Sequence, residues 1–199
     1  MNKTEATKLL TMINEGRVDD LKALLENTLT ELRAKEVYGN GYAKAVKRVI
    51  KELKKMEKRR PILGYYDIQD GKQVFTDSYF AFKMNEGHYI EGLEYHNNNN
   101  GVYPSLDGIV PIPSPDCEVI IDMDQLVSPE KIVPMGKKEV PLYIAKTEHS
   151  TAYLNAGYVE NAIQILGTEG LKMYLYGSMR PVLFTSPRGE AVVVPIRMN

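Results

Sequence analysis

Pro61 separates two periodicities, and that change constrains the fold more than any other feature of the chain. Before it, apolar residues recur every three or four positions, as one face of a helix requires; after it, β-branched and aromatic residues dominate short runs bounded by turn residues. An α+β class follows. Leu9, Leu10 and Ile13 form a first stripe, and beyond Gly16 come Val18, Leu21, Leu25, Leu29 and Leu32, so residues 1–40 read as a helical arm or hairpin. Gly39-Asn40-Gly41 punctuates the chain, and a further helix is predicted from Tyr42 with Val46, Val49, Ile50, Leu53 and Met56 on one face. Residues 41–199 read as one domain with a loop-rich insertion at about 85–140.

Downstream of Pro61, ILGYYDI and QVFTDSYFAFKM read as strands around an Asp70-Gly71 hairpin turn. The stretch 85–140 holds four consecutive asparagines at 97–100, and with Pro141 it accounts for seven of the eleven prolines, which predicts exposed loops around short strands such as CEVIID. LYIAK then reads as a strand and YLNAGYVENAIQIL as a helix with Leu154, Tyr158, Ala162, Ile165 and Leu166 inward. LKMYLYG, PVLFTS and AVVVPI read as three more strands, with Pro187-Arg188-Gly189-Glu190 turning into the last. Because Pro195 cannot donate to a sheet ladder, that last strand is expected at an edge or as the wall of a groove. Alternation of Val192, Val194 and Ile196 also fits a strand that simply seals the core.

Charge is concentrated. Between Lys44 and Arg60 nine basic residues face only Glu52 and Glu57, a net of +7, while the rest of the chain carries −8. On the predicted helix Lys44, Lys47, Lys51, Lys54, Lys55 and Lys58 lie roughly 160° from the apolar stripe. Such a face fits either a solvated helix surface or a phosphate-binding one; the near-absence of acidic i,i+4 partners suits the second.

Catalytic and metal signatures are weak. Cys117 is the single cysteine and His88, His96 and His149 are scattered, with no metal-ligand spacing and no nucleophile partner; Cys117 reads as a small buried residue. Asp122 and Asp124 in IIDMDQL, placed on a strand, would share a face, and Asp67 and Asp70 flank a hairpin, but no third acid, lysine or histidine joins either pair, so capping or solvation is the expected use. No Gly-rich phosphate loop is present. The expectation is a non-enzymatic protein with no cofactor and no metal. Without an apolar run of the roughly 20 residues that span a bilayer, and with no signal-like start in MNKTEATKLL, no membrane association and a cytoplasmic location are expected.

Two segments resemble the bacterial β sliding clamp. AVKRVIKELKKMEKRRPILGYYDIQDGKQVFTDSYFAF is similar to its half-motif of a helix, a Leu-Gly strand, a hairpin and a Thr-Asp strand end. NAGYVENAIQILGTEGLKMYLYGSMRPVLFTSPRGEAVVVPIRMN is similar to the close of its C-terminal domain, an Asn-Ala-x-Tyr helix followed by strands and a Pro-hydrophobic-Arg tail. VYPSLDGIVP is similar to a segment that joins clamp domains, although here it lies mid-domain. The resemblance covers 42–84 and 142–199. It implies a DNA-clamp-like domain with two helices packed on one side of an antiparallel sheet and with Val49, Leu53, Tyr158 and Ile165 facing that sheet.

It further implies sequence-independent DNA contact through Lys44, Lys47, Arg48, Lys51, Lys54, Lys55 and Lys58. A peptide motif of a replication protein would bind at Thr76, Asp77, Tyr79, Val194, Pro195, Ile196 and Arg197. A ring would need six copies of so short a chain, hence a homo-oligomer, and a phage or mobile element is a fitting source. Two departures stand out: the family continues its Thr-Asp with Gly-His-Arg where this chain has Ser78-Tyr79-Phe80, and the second helix offers only Glu160, Asn161 and Gln164 on its polar face. The alternative is a protein-interaction module of the same fold with no DNA binding.

Overall fold

A computed structural model describes residues 3–96, 101–135 and 138–198; the asparagines at 97–100 lie outside the described residues, as do the side chains of Leu9, Leu29 and Leu32. The chain divides into two compact units, 1–43 and 44–199. In the first, α1 (Lys3–Asn14) ends at Gly16, whose φ of 66° suits a residue without a Cβ, and α2 (Val18–Glu57) begins with Asp19 and Asp20, where the helix dipole favours carboxylates. α2 is broken at Gly39 (φ 86°, ψ 175°), and its basic end belongs to the second unit.

The second unit is mixed α+β with antiparallel sheets, and it contains one topological idea twice. After α2, the strands β1 (Asp67–Gln69), β2 (Lys72–Thr76) and β3 (Phe80–Met84) form a meander. After α4 (Ala156–Leu166), the strands β8 (Lys172–Tyr174), β9 (Val182–Ser186) and β10 (Gly189–Val193) form another. The last strand of each meander pairs antiparallel with the other, Gly189 opposite Met84 and Val193 opposite Phe80, so the seven-stranded order β1-β2-β3-β10-β9-β8-β4 is nearly symmetric about that seam. β4 (Glu118–Val119) extends the far edge, while β5 (Lys131–Met135), β6 (Lys138–Lys146) and β7 (Thr151–Asn155) form a separate three-stranded sheet. A four-residue helix, α3 (Asp124–Val127), lies between.

Two faces of the large sheet follow from strand alternation. On one, Phe75 stacks on Phe82 at 5.0 Å between ring centroids, and Ala191 and Phe184 continue the row; α4 packs on β10 and β9 here, and Phe80 meets Tyr158 edge-on at 5.4 Å. Val49, Leu53 and Ile165 are buried, whereas Tyr158 is half-buried. Arg48 on α2 pairs with Glu160 on α4, which links the two helices. On the other face Val74, Ala81, Leu183, Val192 and Tyr174 form a cluster covered by Tyr103 and Leu106, with Cys117 half-buried against it.

Several expectations are corrected. The strand AVVVPI is central, between β3 and β10's other neighbour β9, because it ends at Val193 and Pro195 falls two residues past its ladder. The expected helix from Tyr153 starts only at Ala156: Ala152 and Leu154 are buried in alternation on β7, and the Asn155 side chain accepts from the Gly157 amide at 2.9 Å to cap α4. Helix α4 packs on two sheets, since it also contacts β6 and β7. ILGYYDI opens as a 3-10 turn, Pro61–Gly64, before β1; in the loop-rich stretch β4 lies within CEVIID, a short strand expected there, whereas β5 was not singled out. β5 escaped strand assignment because Pro134 and exposed Lys131, Ile132 and Met135 blur its alternation.

Candidate functional site

The β2–β3 turn organises the site. Thr76 Oγ1 donates to the Phe80 carbonyl at 2.6 Å and accepts from the Ser78 amide at 3.0 Å; Asp77 Oδ1 accepts from the amides of Tyr79 and Phe80 at 2.7 and 2.9 Å. Ser78 takes a φ of 77° to close the loop. Residues of this turn border two depressions: Thr76 and Ser78 line one, Asp77 and Tyr79 the other.

The first is an apolar groove of about 470 Å³. It is lined by Ala81 and Val192 from the paired last strands, by Ile62 and Leu63 from the turn after Pro61, and by a second wall of Val102, Pro104, Leu106 and Ile109. That second wall is part of VYPSLDGIVP and is held in place by polar contacts. Tyr103 Oη donates to the Tyr65 carbonyl and accepts from the Thr76 amide, each at 3.2 Å, and Gln69 bonds both the Pro104 carbonyl at 3.0 Å and the Leu106 amide at 3.2 Å. Burial pushes the Tyr103 hydroxyl well above the usual tyrosine range, so it stays a donor. Val194 forms the rim, and Arg60, whose Nη1 donates to Ser78 Oγ at 3.4 Å, stands at one end.

The residues expected to bind a partner therefore separate. Thr76 and Val194 meet in the groove, and Asp77 and Tyr79 turn into the neighbouring depression. Pro195 is buried and Ile196 half-buried: the Val194 amide donates to the Tyr79 carbonyl at 2.9 Å and the Ile196 amide to the Tyr153 carbonyl at 2.7 Å, tying this segment from the turn to β7. Only Val194 and Arg197 of that segment are exposed. Segment 194–197 is thus both rim and fastening. The groove residues from 102 to 109 were missed as a site because their apolar spacing is irregular; the similarity of VYPSLDGIVP to a clamp segment was the available signal.

The second depression, about 340 Å³, lies between the end of α2 and the turn, with Lys55, Lys58, Arg59, Tyr79 and Tyr158 around it. Burial raises the Asp77 carboxyl above the ordinary range, although two backbone amides and the Tyr158 hydroxyl act against this.

On the basic helix, Lys44, Lys47, Lys51, Lys54 and Lys58 are exposed as expected from the stripe. Arg48 turns aside to Glu160, with Asn161 Oδ1 at 3.5 Å, and Lys55 pairs with Glu52. Asn161 is buried rather than on the polar face of α4. Asp122 and Asp124 sit at the start of α3 and not on a strand; Asp122 Oδ1 accepts the Asp124 amide at 3.0 Å. Among the described residues no group of three or more His, Cys, Asp or Glu side chains is placed to hold a metal, and no helix is long and apolar enough to cross a membrane. His96 is buried between Tyr65 and Tyr103 with Nε2 2.8 Å from the Gly101 carbonyl, a structural position behind the groove wall. Compared with family models, curated proteins and solved structures, the chain matches none of them.

Proposed function

We propose that this chain is a non-enzymatic, sliding-clamp-like protein that takes a short peptide of a replication protein into the groove and rests on DNA phosphates through the lysine face of α2. The observation that carries this reading is the groove itself: an apolar channel beside a Thr-Asp strand end and rimmed by Val194, where the clamp resemblance puts a partner cleft. Burying one large apolar side chain there contributes about 1.5–3 kcal/mol, enough for an anchor and too little for binding alone. The doubled helix–meander, joined through β3 and β10, supports a clamp-like domain.

A second reading, a peptide-binding module without DNA contact, is favoured by α4, whose acidic Glu160 draws Arg48 out of the cationic face. Binding of duplex DNA of about 20 base pairs, titrated with salt, separates the two. The first reading expects weak, sequence-insensitive binding whose logarithm falls linearly with log salt, by about 0.9 per neutralised phosphate. A Lys47→Glu, Lys51→Glu, Lys54→Glu, Lys58→Glu variant should lose it with its fold intact. Equal binding by both proteins leaves the module reading. Sedimentation mass then reports whether copies assemble toward a ring.

A further inference from the structure

The depression beside the groove differs from it in charge. Its acids are already engaged: Asp77 is buried and bonded to two amides and Tyr158, and Glu52 is paired with Lys55. Beyond Lys55, its cations are not. Lys58, Arg59 and Arg60 are consecutive and exposed, and none of them forms an ion pair among the described residues; Arg60 reaches only the Ser78 hydroxyl. Arg60 stands at the groove end, while Lys58 and Arg59 stand across the turn of Asp77, Ser78 and Tyr79. Tyr79, 56% exposed, gives that turn an apolar crest over which an extended chain can pass.

From this continuity we infer that the groove's occupant is an extended peptide of two parts, an apolar anchor lying in the groove beside Val102 and Val194 and an acidic flank that crosses the turn to Arg60, Arg59 and Lys58. The inference rests on the groove reading and deepens it by naming the partner's chemistry. Because Arg60 itself lines the groove, the acids should follow the anchor closely. Carboxylates suit this place because guanidinium groups hold them bidentately at a partly apolar surface, and the pairs would set orientation and association rate more than total affinity.

Selection from a phage-displayed library of random peptides about 12 residues long tests it without presuming a motif. On the wild type, selected peptides should share an apolar anchor with Asp or Glu enriched on one flank. On Lys58→Glu, Arg59→Glu the anchor should persist while the acidic enrichment disappears. Selection on Val194→Asp and on Val102→Asp, the latter side chain 93% exposed and so without a packing role, should lose the anchor class. Anchored peptides with no acidic flank, or with the same flank on the charge-reversed protein, overturn the inference and leave the groove reading intact. Absence of an apolar anchor, or an anchor indifferent to both aspartate variants, overturns both.

Discussion

The two helix–meander halves, 44–84 and 156–193, share a topology and differ in what their helices show to solvent. The basic end of α2 buries one stripe, Val46, Val49 and Leu53, and exposes lysines on the rest. Helix α4 buries Ala156, Val159, Asn161, Ala162, Ile163, Ile165 and Leu166, because it contacts strands of both sheets. What the comparison teaches is that a helix at one end of a meander needs only one buried stripe. The outer face of the first half was left open to charge, while that of the second was taken up by β6 and β7.

The largest expected effect lies where the halves meet. Gly189 has a φ of 148°, and a Cβ there would stand 2.3 Å from the Lys83 carbonyl oxygen, a backbone atom of the other half. Gly189→Ala should cost about 3 kcal/mol through combined backbone strain and crowding, read as a lowered urea midpoint. A loss below about 0.5 kcal/mol would mean that the backbone at the seam yields easily.

A smaller effect probes how far burial alone holds α4. Removing its cap in Asn155→Ala leaves the Gly157 amide without its acceptor and should cost about 1 kcal/mol, with cooperative unfolding retained. Loss of the helix signal in circular dichroism would show that the cap, and not the two-sided packing, maintains it.

Asp77 distinguishes the halves by pH. A carboxyl raised by burial keeps its proton in the folded state where the unfolded chain has released it. Its contribution to stability is therefore fullest below about pH 3.9 and is lost as pH rises through the folded value. Asp77→Asn removes that titration and retains an oxygen for the turn amides. The wild type should lose stability relative to the variant on going from about pH 4 to pH 6, and parallel curves would show that the hydrogen bonds offset burial completely.

The smallest effect concerns the link between the helices. Arg48 and Glu160 are both more than a third exposed, so a double-mutant cycle with Arg48→Ala and Glu160→Ala should give a coupling of about 0.2–1 kcal/mol. A value near zero would show that the pair adds nothing to holding the two helices.

Local chemistry made much of this legible in the sequence. Asp70 and Gly71, with φ of 50° and 71°, close the β1–β2 hairpin that the Asp-Gly pair announces, and the lysine stripe of α2 is exposed because 3.6-residue periodicity leaves it no other place. By contrast, the start of α4 was misplaced because Ala152 and Leu154 fit a helical stripe as well as a strand, and only pairing with β6 chooses between them. The groove is further removed from local pattern. Its walls come from residues 62–63, 76–81, 102–109 and 192–194, and nothing in the spacing of Val102, Pro104, Leu106 and Ile109 says which sheet face they cover.

By itself, then, the sequence determined the turns, the basic face and the helix and strand periods, since these depend on backbone preference and neighbours a few residues apart. Tertiary structure alone decided that β10 is central, that Arg48 leaves the lysine face for Glu160, and that Thr76 and Asp77 face different depressions. Those outcomes depend on which distant segments compete for the same apolar surface and the same charge, and such competition is settled only when the chain closes on itself.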